Sequence, residues 1–294
     1  MNRATCACVF GLAVLVAAGP RAADTRPSMD DVLARTGAYL KLYESQLSSV
    51  VAEEHYEQQY TNWEVGRTTT FPQRRTLDSD FLFLRLPGNN SWMGLRDTFR
   101  VDGKDVRPAN SDLFRSLHIE NADDVAAAVR ISSENARRNL GDVFRTINVP
   151  TMTLDFFTDG NRGRFRFSKS GEEKKDGRVL WHLTFNEIAR PTMVKTAEGA
   201  DERSRGTVSV DPLTGAVERT VLDLGDDSRA DGFVRSRITV VYGQEPALGF
   251  RVPVDMVESY YRPPSREYSQ LQIATHATYS RFRRFQTSAK IREP

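Results

Sequence analysis

Residues Gly206 to Leu224, GTVSVDPLTGAVERTVLDL, fit a β-hairpin better than any other local structure. Two β-prone runs, Thr207 to Val210 and Ala216 to Leu224, flank Asp211-Pro212-Leu213-Thr214-Gly215. Proline pre-sets φ at the second turn position, the aspartate before it can bond the backbone, and Gly215 suits the left-handed conformation that closes such a loop. A chain that contains this hairpin at mid-length needs further strands to cover its edges.

Those strands are legible on both sides. Arg178 to Asn186 alternates cleanly, with Val179, Trp181, Leu183 and Phe185 toward a core and Leu180, His182, Thr184 and Asn186 away from it. Ile238, Val240 and Tyr242 share a face within Phe233 to Gly243, and Phe250, Val252, Val254 and Met256 alternate after Pro246. Leu271 to Ile291 reads as the final strand. Upstream, a first strand runs from Val50 toward Trp63, and Arg74 to Leu86 is apolar on both faces, as in a covered central strand. Trp92 to Val101 ends at Asp102-Gly103, a hairpin pair. The stretch Thr151 to Phe157 also reads as a strand, followed by a turn and RFRFSKS, and Ala189 to Ser204 reads as a polar, mobile loop.

Two stretches have helical spacing. Ser28 can cap a helix over Met29 to Ala52, with Asp30 and Asp31 in its first turn and Val32, Leu33, Leu40, Tyr43, Leu47 and Val50 or Val51 on one stripe. Such a stripe needs a surface to cover, and the face of a curved sheet supplies one. A helical insertion over about 110–148, with its main helix over Asp123 to Asn139, serves as additional core cover. The expected fold is mainly β (α+β): seven to ten antiparallel strands in a large curved sheet or open half-barrel, with an N-terminal helix and an inserted helical segment.

The N-terminus reads as a secretion signal. Arg3 precedes an apolar run, Cys6 to Ala18, and Arg21-Ala22-Ala23 offers small residues for cleavage after Ala23. The run is shorter than the ~20 residues of a membrane span. The expected organisation is a signal peptide over 1–23 and one secreted or periplasmic domain over 24–294. Cys6 and Cys8, the two cysteines, fall inside the signal, so the mature chain has no disulfide framework and no thiolate metal site. The net charge of +2 comes from Arg3 and Arg21, which leaves the mature part neutral and argues against a nucleic-acid partner.

The long N-terminal helix, the succession of antiparallel strands, the D-P-x-T-G turn at Asp211 to Gly215 and the terminal ATYSRFRRF of Ala277 to Phe285 resemble the LolA-like group. That group comprises periplasmic lipoprotein carriers and related sensor domains; the ATYSRFRRF stretch is also similar to bacterial secreted proteins of unassigned function. The resemblance implies an incomplete β-barrel whose apolar concave face, covered by helices, holds an acyl chain or a protein segment. The insertion at Asn110 to Asn148 departs from the carriers and leaves the cargo open.

Catalytic motifs are lacking: there is no G-x-S-x-G, H-E-x-x-H, P-loop or G-x-G-x-x-G. Glu53, His55 and Glu57 share one face of a strand, but their spacing of about 7 Å is too wide for three ligands on one ion, so a solvated face is expected and no metal or cofactor. His118, His182 and His276 stand on different elements, and the acids of Asp226 to Gly232 miss the calcium-loop spacing. Arg162, Arg164 and Arg166 on one strand could contact an anionic head group, as could Arg281, Arg283 and Arg284. The reading that follows is a non-enzymatic binding or carrier protein for an apolar or amphipathic ligand, a lipid or lipoprotein acyl chain. Its ligand-binding residues would be Leu40, Tyr43, Leu47, Phe165, Phe167, Trp181 and Phe185. An envelope protein-interaction or sensor domain is the alternative, and an enzyme without a recognisable motif is third.

Overall fold

The structure, a computed structural model, describes residues 26–48, 50–63, 72–85, 92–107, 126, 129–130, 133–134, 136–141, 148–196, 199–225, 234–264 and 269–284. Helix α1 spans Met29–Leu47. Ser28 starts it with a reciprocal cap: its hydroxyl accepts from the Asp31 amide at 3.1 Å, and the Asp31 carboxylate accepts from the Ser28 amide at 3.0 Å. The helix stops short of Ala52 because Val50 already pairs in a strand.

Strands β1 (Val50–Trp63), β2 (Gln73–Arg85), β3 (Trp92–Val101) and β4 (Lys104–Asp105) form an antiparallel meander. Asp102 and Gly103 both take positive φ, 49° and 77°, as the tight turn between β3 and β4 requires. Later come β5 (Phe165–Lys175), β6 (Arg178–Glu187), β7 (Val194–Lys195), β8 (Asp201–Glu202), β9 (Ser204–Val210) and β10 (Val217–Leu224). The last three strands are β11 (Arg235–Glu245), β12 (Phe250–Arg262) and β13 (Gln270–Arg284). Eleven of these form one antiparallel sheet in the order β4-β3-β2-β1-β13-β12-β11-β10-β9-β6-β5. The sheet is not closed, since β4 and β5 remain its two edges. Pairing of β13 with β1, from Val50↔Arg284 to Trp63↔Gln270, joins the first meander to the later one.

The expected class is the observed one, a mainly antiparallel β protein with an N-terminal helix, but with more strands than the seven to ten read from the sequence. Three local expectations differ. Met152–Phe157 is a 3-10 helix rather than a strand, closed by bonds such as Leu154 N to Thr151 O at 3.0 Å. Its residues Thr153 to Phe157 are all buried, so both parities of the apparent alternation face protein. The Ala189 to Ser204 segment is tied down through the β7–β8 ribbon, with Asp201 accepting from the Thr192 amide and Glu187 from the Met193 amide. Val179 is 38% exposed and Leu180 is buried, because the alternation of β6 sets in only at Trp181.

Residues 126, 129, 130, 133, 134 and 136 are helical, within the stretch read as the insertion helix; its other residues through 135 and the stretch read as a signal peptide lie outside the described residues. No helix among the described residues is long and apolar enough to cross a membrane.

The main core lies between α1, the Met152–Phe157 helix and the sheet face beneath them, here called the inner face. Val208, Val210 and Val217 of the central hairpin point into it. A small second cluster, Val51, Leu82 and Leu95, lies on the outer face of β1 to β3, which is why β2 reads as apolar on both sides.

Candidate functional site

The apolar stripe of α1 lies on the inner face. Leu40, Tyr43 and Leu47 are buried in one cluster with Phe165, Trp181 and Phe185, and Phe167 packs against it part-buried. Tyr43 meets Phe250 of β12 edge-on at 6.0 Å. The Met152–Phe157 helix fills the space toward β5 and β6: Phe156 stacks on Phe165 at 4.8 Å, and Phe157 meets Phe185 at 5.5 Å and Phe167 at 5.2 Å. All seven residues read as a ligand surface thus join one cluster, and in the described structure protein side chains occupy it. Lys169 lies over the Trp181 ring at 3.8 Å and borders the cluster on the edge strand β5.

Polar ties hold the covering elements. Arg85, at the end of β2, bonds Glu44 of α1 and reaches Asp155 of the 3-10 helix at 2.5 Å, while its guanidinium lies 5.2 Å from the Trp92 ring centre. One arginine therefore serves both covers. Burial pushes the Asp155 carboxyl up to about 6, against the pull of Arg85 and of the Trp92 amide. At the other end of α1, Arg35 donates to the Pro212 carbonyl at 2.7 Å.

The inner face of β1, β3, β12 and β13 is unexpectedly polar. Glu54 and Arg96 form a two-pronged pair at 2.5 and 2.8 Å, with the guanidinium near the Phe81 and Tyr56 rings. Burial opposes the Arg96 charge, but Glu54 more than offsets it and raises the pKa. Further along, Glu258 accepts from the Tyr56 hydroxyl at 3.0 Å and from Tyr260. Gln58 accepts from the Leu140 amide at 3.0 Å, which places the end of the insertion over this part of the sheet. Sequence reasoning missed these groups, although Glu54 and Gln58 share the parity of the core residue Tyr56 and could have been found on that signal.

The three anion-contact candidates do not share a strand. Arg162 and Arg164 belong to a short 3-10 turn, Arg162–Arg164, that precedes β5, and only Arg166 is in the strand. Arg162 pairs with Asp159 at 3.1 Å, and Arg164 bonds the Pro191 carbonyl and lies 3.7 Å from Glu187. In the second row, Arg281 pairs with Glu53 and Arg283 with Asp80.

On the outer face, His55 bonds Asp78 at 2.6 Å, which raises its pKa, and His276 bonds Asp255 at 2.6 Å. Among the described residues no group of three His, Cys, Asp or Glu side chains could hold a metal ion. His182 of β6 lies 2.9 Å from the Ser209 hydroxyl of β9 and 3.6 Å from Glu173. That row has the residue types of a hydrolase triad. It arises from register alone, since His182 and Ser209 are cross-strand partners. A mid-strand serine, with its neighbouring amides used in the ladder, lacks the strained turn and oxyanion donors that acyl transfer needs. His118 and the Asp226 to Gly232 loop lie outside the described residues.

These features define a class of architecture: an open antiparallel sheet with one face covered by a separate amphipathic helix. No protein-family model matches the chain, and no curated protein sequence matches it. Among solved structures, it is similar to a DUF1329 family protein from Desulfovibrio piger, with a TM-score of 0.36 and 14% identity over 90% of this chain and 95% of that one. It is also similar to a candidate outer membrane lipoprotein-sorting protein domain from Vibrio parahaemolyticus, with a TM-score of 0.33 and 12% identity over 88% and 95% of the two chains. The likeness is one of fold only.

Proposed function

We propose that this protein is a secreted or periplasmic binding protein that takes an amphipathic ligand, a lipid or a lipoprotein acyl chain, between α1 and the inner face of the sheet. The observation that carries the reading is the convergence of Leu40, Tyr43, Leu47, Phe165, Trp181 and Phe185 in one apolar cluster beneath a helix that makes no part of the strand ladder. Lifting α1 into water would cost about 1.5–3 kcal/mol for each large side chain exposed, which forbids an empty open state. A ligand chain that slides beneath the helix keeps that stripe in an apolar setting. The eleven-stranded ladder is built without α1, so the sheet can serve as a fixed wall.

Native mass spectrometry of the secreted protein, together with uptake of the neutral apolar dye N-phenyl-1-naphthylamine, tests this. Co-purifying lipid or saturable dye uptake supports the reading, whereas an empty protein that takes up no dye contradicts it.

The filled interior favours a second reading, an envelope interaction or sensor domain that uses the cluster only as a core. Under that reading the dye stays out, and pull-down from envelope extract recovers a specific partner.

A further inference from the structure

Glu258 differs from six other buried acids among the described residues. It sits on the inner face of β12 with no measurable exposure. Glu54, Asp80, Asp155, Glu187, Asp211 and Glu218 are also buried, and each has an arginine within 4.0 Å. For Glu258 the partners are two hydroxyls, Tyr56 at 3.0 Å and Tyr260, and no Lys, Arg or His among the described residues pairs with it. Beside it, at the paired position of β13, Thr275 is 4% exposed and its hydroxyl is without a partner. A carboxylate taken out of water without a cation is unfavourable, and hydroxyl donors offset only part of the loss.

The position suits a receptor for charge. Met256, one inward step along β12, belongs to the apolar cluster under α1, while Tyr260, one step the other way, belongs to a separate cluster with Leu271 and Ile273. Glu258 therefore marks the polar end of the apolar surface. Its surroundings are covered from the insertion side by residues 140 and 141: the Leu140 amide bonds Gln58, and a Cβ on Gly141 would come within 2.8 Å of the Tyr60 ring.

We propose that Glu258, with Thr275 beside it, receives the ammonium or other N–H-donating head group of the amphipathic ligand whose chain lies along the cluster beneath α1. This rests on the binding reading above and names its ligand class: an amphiphile with a cationic head rather than a carboxylate.

The test is displacement of bound N-phenyl-1-naphthylamine by dodecylammonium, dodecanol and dodecanoate at neutral pH, on wild type and on Glu258→Gln. In wild type, dodecylammonium is expected to displace the dye at a concentration at least tenfold below that of dodecanoate. Glu258→Gln should remove most of that gap and leave displacement by dodecanol within about twofold. Equal displacement by the three heads in wild type, or an unchanged gap in Glu258→Gln, overturns the inference while the binding reading stands. A protein that binds neither dye nor amphiphile overturns both. Tyr56→Phe supplies a second variant should Glu258→Gln not fold: with one hydroxyl donor gone, the preference for the ammonium should widen, and a narrower gap contradicts the assignment.

Discussion

Gly215 and Arg35 touch backbone to backbone: a Cβ on Gly215 would come within 2.3 Å of the Arg35 carbonyl carbon and 2.5 Å of the Thr36 nitrogen. The turn of the central hairpin thus presses directly on α1, and Gly215 has φ +75° in addition. Both the contact and the left-handed backbone require glycine. Gly215→Ala is expected to destabilise the fold by at least about 2 kcal/mol through strain and displacement of the helix. Chemical denaturation measures this, and a change below about 0.5 kcal/mol would show that the turn and helix are not pressed together.

Burial of Asp155, which outweighs the pull of the shared Arg85, gives the covers a dependence on pH. Asp155 titrates near 6 in the fold against an ordinary 3.8, so its burial is most favourable below about pH 4 and that advantage is lost as pH rises through 6. The loss is on the order of 3 kcal/mol. Asp155→Asn has no such titration. The stability of wild type relative to Asp155→Asn should therefore fall between pH 4 and 7, as read from urea midpoints at each pH; a constant difference would contradict the placement of Asp155.

Glu218 has the opposite sign. Burial works against its charge, but Lys175, Arg251 and Arg178 outweigh this and lower its pKa. Its contribution is present above the ordinary glutamate range and is lost as pH falls through the lowered value. The carboxylate joins the β5–β6 hairpin to β10 and β12, so Glu218→Gln takes a shared carboxylate from three cations. The expected cost at pH 7 is about 3 kcal/mol, shrinking on acidification. A cost independent of pH would show that charge is not what the residue supplies.

Ser209 should be inert despite its bond to His182. A fluorophosphonate probe incubated with the folded protein is expected to leave it unlabelled, as intact-mass measurement would show. Stoichiometric labelling, abolished by Ser209→Ala, would establish an enzymatic role and revise the function.

The strands were legible because exposure on one face keeps a two-residue period, as in Phe250, Val252 and Met256 of β12. The Asp211 to Gly215 turn was legible because its bonds are local, with Asp211 accepting from the Leu213 and Thr214 amides at 2.9 and 3.1 Å. Thr151 to Phe157 misled for the converse reason. Protein surrounds it on all sides, and the contacts that fix it, such as Asp155 with Arg85, come from distant sequence. The apolar half of the candidate site was visible in the α1 stripe and in Trp181 and Phe185. Its polar half was not, because Glu258 and Glu54 stand at inward positions where an acid alone looks like a break in the pattern.

The location of the ligand is tested most directly with Trp181. It is 8% exposed within the cluster, while Trp63, at 36% exposure, lies outside it, and Trp92 packs against its edge. In a protein carrying Trp63→Phe and Trp92→Phe, Trp181 is the sole tryptophan. Addition of dodecyl chains brominated near mid-chain should quench its fluorescence saturably, by half or more, and unbrominated chains should reverse the quenching by competition. Binding of the chains with Trp181 emission unchanged would place the ligand elsewhere and contradict the site beneath α1.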